Sequence, residues 1–156
     1  MNYRMLTAAA AAMTFALGVV PSASAQMPSW SPEQQAVWSV VSQSWVDDAA
    51  QNGKWPKDYA DPQILAWSSD FPSPRGLDSI DKWTRFGNAQ RKTLQYEITP
   101  QAIALSGNTA VVTYTLAMVS QRGTDKPENV QEAIVETLVR NGGSWKFLAT
   151  TSHDLK

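Results

Sequence analysis

The sequence predicts an α+β domain in which a curved sheet wraps on N-terminal helices with a pocket inside. Three observations predict it. Three strand-like runs follow one another at the C-terminal end: Asn108–Val119, Val130–Arg140 and Trp145–Ser152. Helical patterns rich in tryptophan precede them. The strand runs are apolar on both faces: Ala110, Val112, Tyr114, Leu116 and Met118 alternate with Val111, Thr113, Thr115, Ala117 and Val119. A sheet wet on one side alternates more cleanly, so one face is expected to pack on the helices and the other on a second copy, as a homodimer. A monomer with a threonine-rich outer face is the competing reading.

The chain opens with Arg4, an apolar alanine-rich run over Leu6–Val20, and Pro21-Ser-Ala-Ser-Ala25 ahead of Gln26. This is the layout of a cleaved secretory signal peptide over residues 1–25, with one domain over 26–156 in the periplasm or outside the cell. The apolar run is shorter than the roughly 20 residues a bilayer span needs, so no membrane span is expected in the mature chain. Thirteen Lys and Arg face 14 Asp and Glu, and losing Arg4 leaves 12 against 14. With no basic face or charge run, nucleic acid is not an expected partner. There is no cysteine and one histidine, which argues against zinc ligation by the usual residues. No glycine-rich phosphate loop appears, and no cofactor is expected. All seven tryptophans follow residue 26, so burial of large rings must supply the stability.

Ser31-Pro-Glu-Gln34 is a helix start, with Ser31 as cap, Pro32 at the first position and Gln34 closing a capping box. At 100° per residue, Gln34, Val37, Trp38, Val41, Trp45, Asp48 and Ala49 share one arc, while Ser39, Gln43 and Asp47 face away. The helix is expected to end near Asn52-Gly53 on a left-handed glycine. Trp55–Ala60 reads as a short second helix starting at proline. Ile64–Ser68 reads as a strand. Phe71–Gly76 holds two prolines and cannot be helix. Asp78 is expected to cap a third helix with Ile80, Trp83 and Phe86 inward, stopping near Gly87-Asn88. The sheet then begins over Thr93–Ser106 with a break at Pro100, a tight turn at Ser106-Gly-Asn108, and a hairpin turn at Asn141-Gly-Gly-Ser144.

Read together, the aromatic first helix, Trp67-Ser68, Pro72-Ser-Pro-Arg75, Ile80, Trp83, Tyr96-Glu-Ile-Thr-Pro100, Ser106–Tyr114 and Gly143-Ser-Trp-Lys-Phe147 resemble the SnoaL-like branch of the nuclear-transport-factor-2-like (NTF2-like) superfamily. The resemblance covers about Gln34 to Ser152. It implies a cystatin-like cone, a bent mixed sheet around a long helix with a pocket at the open end. It also implies a range of functions, from isomerases, dehydratases and polyketide cyclases to non-catalytic binding and assembly domains. Relatives often carry an acid after the first helix, where this chain has Lys54. They carry arginine and threonine where it has Ala133 and Val135, and histidine where it has Thr151. An acid survives as Glu136.

A two-residue turn at Gly142-Gly143 pairs Arg140 with Trp145 and Leu138 with Phe147. Continued outward, it pairs Glu136 with Ala149, Ile134 with Thr151 and Glu132 with His153 on one face. A bulge would shift these pairs by one residue. Glu136 and Asp48 are the candidate catalytic carboxylates. Glu136 is either a pocket acid with a raised pKa or an ion-pair partner of Arg140 or Arg75. Asp48, in the last helical turn, opposes the helix dipole. It is either a pocket group, a partner of Arg75 or Lys54, or bonded to backbone. His153 with Glu132 is either a rim acid–base pair or a solvated one. Arg75, on a rigid loop, either binds an acidic ligand or pairs with Asp70 or Asp78. Trp38, Trp45, Trp67 and Trp83 are pocket walls for a ring-shaped ligand, or simply core. Tyr59 and Tyr114 are possible hydrogen-bond donors, and Thr151 completes the pocket set. The first expectation is a pocket that binds a small hydrophobic molecule without chemistry. The alternatives are a cofactor-independent isomerase, dehydratase or cyclase, and a dimeric assembly module.

Overall fold

A computed structural model describes residues 29–69 and 71–155; the expected signal segment and Asp70 lie outside the described residues. The elements run α1 (Pro32–Ala49), β1 (Ala60–Ser68), α2 (Leu77–Gln90), β2 (Arg91–Ser106), β3 (Thr109–Arg122), β4 (Glu128–Asn141) and β5 (Ser144–Asp154). They form one five-stranded sheet in the order β1-β5-β4-β3-β2. β1 joins β5 in parallel, and every other pair is antiparallel. The curvature has a local source. The register slips within β2 at Thr93/Gln95 and Pro100/Ala102, between β4 and β5 at Thr137/Leu138, and along β1. Each extra residue bends its strand and tightens the twist.

α1 begins as its sequence dictates. The Ser31 side chain accepts from the Gln34 amide at 3.2 Å, and the Ser31 amide donates to Gln34 Oε1 at 2.9 Å. Gln34 also donates to the Ile103 carbonyl at 2.7 Å, and Glu33 accepts from Trp145 Nε1 at 3.0 Å. Glu33 pairs with Arg140 as well. These bonds moor the helix across the concave face of the sheet. Val37 and Val41 are fully buried against Ala110, Val112, Leu138 and Phe147. On β3 the even-numbered residues Ala110 to Leu116 face this core, while Val111 is 39% exposed on the outer side.

Several expected boundaries are corrected. α1 ends at Ala49, before Gly53; Gly53 is left-handed as expected (φ 82°), but the positive-φ residue nearer the helix end is Gln51 (φ 52°), whose side chain donates to the Arg91 carbonyl at 2.7 Å. That bond holds a residue without glycine's freedom in place. Asp47 was expected outward but is buried, because the following loop folds back over it. Tyr59 donates to its carboxylate, and Asn52 donates at 2.6 Å. Residues 55–59 form turns, not a helix, because the chain must straighten to join the sheet, where Phe147 donates to the Tyr59 carbonyl. The cap of α2 is Gly76, and Asp78 lies in its first turn without capping it. Trp83 and Phe86 are about half exposed (51% and 55%) instead of inward. α2 also runs past Gly87 to Gln90, and the sheet begins at once with Arg91, which pairs with Arg122.

Candidate functional site

The site grows from one cross-strand row on the concave face. Val112 on β3 pairs with Glu136 on β4, Glu136 with Thr150 on β5, and Thr150 with Ala66 on β1. The next row runs Tyr114, Ile134, Ser152 and Ser68. α1 lies over these rows and lowers Ser44, Trp45 and Asp48 toward them, on the arc that its helical period predicts. Between helix and sheet is a cavity of about 160 Å³ lined by these three, Trp55, Tyr114, Glu132, Ile134, Glu136, Thr150 and Ser152.

Two carboxyl groups in this cavity are unusual. Glu136 is 5% exposed, and one oxygen of each of Glu136 and Asp48 is buried with no hydrogen-bond partner. Burial pushes Glu136 up to about 8, opposed by the hydroxyls of Tyr114 and Thr150, which favour the charged form. The Thr150 hydroxyl lies 3.5 Å from Glu136 Oε1. Burial pushes Asp48 up to about 6, opposed by the side-chain amide of Asn88 on α2. At neutral pH the pair is therefore split, with Asp48 mostly ionised and Glu136 mostly protonated. Trp45 Nε1 donates to the Tyr114 hydroxyl at 2.8 Å, which fixes the phenol beside them. Burial also raises the Tyr114 pKa, and the nearby Glu136 adds to the rise, so the phenol stays protonated.

A second hollow, of about 290 Å³, adjoins the first through the shared residues Thr150 and Ser152. It is lined by Ala66, Trp67, Phe71, Arg75, Ile80 and Trp83, among others. The Arg75 guanidinium carbon lies 3.0 Å from the Phe71 ring centroid and 4.7 Å from that of Trp83. Its backbone is tied to Ala66 by two hydrogen bonds, of 2.8 and 2.9 Å.

The structure thus distributes the expected residues over three places. Glu136, Asp48, Trp45 and Tyr114 meet in the first cavity; Trp67, Arg75 and Trp83 meet in the second hollow. Trp38, Tyr59 and Thr151 line neither. Trp38 packs edge-on against Trp30 and Tyr114, behind the wall. Tyr59 is committed to Asp47, and burial and that carboxylate push its pKa up to about 12. Its bond holds the Asp47 carboxyl down at about 2. Thr151 is exposed and pairs with Val135.

The expected hairpin pairs hold from Asn141 to Leu138 and then slip, because Leu148 is an extra residue on β5. Glu136 consequently pairs with Thr150 and Ile134 with Ser152, and His153 pairs with Ala133 instead of Glu132. That slip brings Thr150 and Ser152 into the cavity and turns Thr151 out of it. Neither Arg140 nor Arg75 forms an ion pair with Glu136; Arg140 pairs with Glu33. Ser44 was the recoverable omission, since it lies four residues before Asp48 on a helix. Trp55 carried no such signal. Among the described residues, no group of three or more His, Asp or Glu is placed to hold a metal ion, and no helix is long and apolar enough to cross a membrane.

The fold has many solved counterparts. A ketosteroid isomerase-like protein from Erwinia carotovora atroseptica superposes with a TM-score of 0.72 at 9% identity, over 81% of this chain and 99% of that one. A conserved protein from Planctomyces limnophilus gives 0.71 at 10% identity, over 79% and 96%. An NTF2-like protein with a cystatin-like fold from Novosphingobium aromaticivorans gives 0.65 at 11% identity, over 80% and 83%. No protein-family model matches the chain, and neither does any curated protein. The chain therefore has the NTF2-like, cystatin-like fold, shared with ketosteroid isomerase-like proteins. At these identities the likeness is one of fold, and function rests on the site.

Proposed function

We propose that this chain is a cofactor-independent proton-transfer enzyme of the isomerase, dehydratase or cyclase type, acting on a small apolar molecule in the Asp48–Glu136 cavity. One observation carries the reading: two carboxyl groups, each with a buried oxygen lacking a partner, line a single aromatic-walled cavity. An unsatisfied buried polar atom costs about 1–3 kcal/mol. A pocket that only bound an apolar ligand would have no use for two of them.

The chemistry follows from the split pKa values. Ionised Asp48 takes a proton from a carbon beside a carbonyl, and protonated Glu136 gives its proton to the carbonyl oxygen as the enol forms. Return of the first proton to a different carbon, and of the second to Glu136, completes an isomerisation. Trp45 and Tyr114 supply a flat apolar wall with a fixed hydroxyl. The proposal extends to the SnoaL-like branch, on the motifs quoted above. It also extends to a periplasmic or secreted location, on the layout of residues 1–25, and to a homodimer through the outer sheet face, where Val111 and Val135 stay exposed.

The test is deuterium incorporation from D2O into small cyclic ketones such as cyclohexenone and tetralone. The expected rate is bell-shaped in pH, with limbs near 6 and 8, and Asp48→Asn lowers it by about 100-fold or more. Ketone binding without any exchange above buffer would return the chain to the binding-only reading.

A further inference from the structure

We infer that the molecule this protein acts on is an elongated organic acid whose carboxylate is held by Arg75, while its apolar body crosses β5 into the Asp48–Glu136 cavity. The inference rests on the cavity being the reacting end, as proposed above. Its own ground is the second hollow.

Arg75 is placed with care and left unused. Two backbone bonds to Ala66 fix its main chain at the edge of the sheet, and two aromatic rings hold its guanidinium. Among the described residues, no carboxylate or carbonyl accepts from that guanidinium. The expected partner Asp78 does not pair with it, and Asp70 lies outside the described residues. By contrast, Lys57 and Arg85 both pair with Asp81, at 3.2 and 2.6 Å. Stacking on a ring uses the face of the guanidinium, while its N–H donors radiate in the plane, in a fork that matches a carboxylate.

The register supplies the dimension. Glu136, Thr150, Ala66 and Arg75 are successive members of one row across the sheet. Three strand spacings separate the backbones of the first and last, roughly 14 Å. Thr150 and Ser152 line both hollows, so the path between them is shared. Trp67 and Trp83, each about half exposed, flank the outer end. A single guanidinium, the one charged group among the described aromatic and hydroxyl-bearing lining residues of this hollow, suits a singly charged carboxylate better than a dianion, and the separation suits a body of about two fused rings.

The experiment measures binding of 2-naphthylacetate and its uncharged match 2-naphthylacetamide by tryptophan fluorescence and calorimetry, on the wild type, Arg75→Gln and Arg75→Lys. The wild type is expected to bind the acid at least tenfold more tightly than the amide. Arg75→Gln should abolish that preference while leaving amide affinity within about twofold, and Arg75→Lys should retain part of it. Equal affinity for acid and amide in the wild type overturns the inference but leaves the cavity reading standing. So does a preference that survives in Arg75→Gln. Failure of the wild type to bind either probe overturns the inference, while the cavity reading stands or falls on exchange into cyclohexenone. Urea melts are the structural control: a lowered midpoint in Arg75→Gln together with an equal loss of acid and amide affinity would mark Arg75 as structural and overturn the inference.

Discussion

Replacing Glu136 with glutamine should make the protein less sensitive to alkali, with a magnitude that follows from its burial. The carboxyl titrates near 4.5 when exposed and near 8 in the folded chain. Between those values the folded state holds a proton that the unfolded state has released, so stability falls as pH rises through this window. The protonated, buried form is fully favourable below about 4.5, and its contribution is lost as pH climbs toward 8. Asp48 behaves alike between its ordinary value of 3.8 and about 6, so the range from pH 6 to 8 isolates Glu136. At about 1.4 kcal/mol per pH unit, flattening near the folded pKa, this single group should remove about 2 kcal/mol across that range. Glutamine cannot titrate, so the stability difference between variant and wild type should shift by that amount in the variant's favour. Urea melts of both proteins at pH 6, 7 and 8 measure it, and every other titrating group cancels in the difference. A difference constant with pH would show that Glu136 ionises in the folded chain as it does in water, and would refute the reasoning.

Two further predictions concern the scaffold. Phe147 is fully buried and meets Trp55 edge-on at 5.3 Å, so Phe147→Ala should cost about 3–5 kcal/mol by chemical denaturation. Ser31→Ala removes the side-chain half of the capping box and should cost about 1 kcal/mol, visible as a lower urea midpoint with an unchanged slope.

The architecture was legible where local rules act alone. Ser31 to Gln34 announced α1, Gly142 and Gly143 adopt the positive φ values their hairpin requires, and Pro100 sits where β2 slips register. The helical period placed Trp45 and Asp48 toward the sheet correctly. Distant contacts decided the rest. The bulge at Leu148 has no signature in residue type, yet it decides whether Thr150 or Thr151 enters the cavity. Asp47 looked outward by period alone, and only the returning loop with Tyr59 buries it. Trp83 reads as core by hydropathy, but it serves as a ring beside Arg75 on the surface of α2. In each case a contact outside the element itself, or a register out of phase by one residue, overrode the local pattern.

The central claim is that one cavity holds two carboxyls on opposite sides of neutrality. Carboxyl carbon NMR of protein labelled with 13C at Asp and Glu side chains, titrated from pH 4 to 10, observes it directly. The account predicts one aspartate signal moving with a midpoint near 6 and one glutamate signal near 8, the latter absent in Glu136→Gln. Midpoints near 4 for every carboxyl would contradict it.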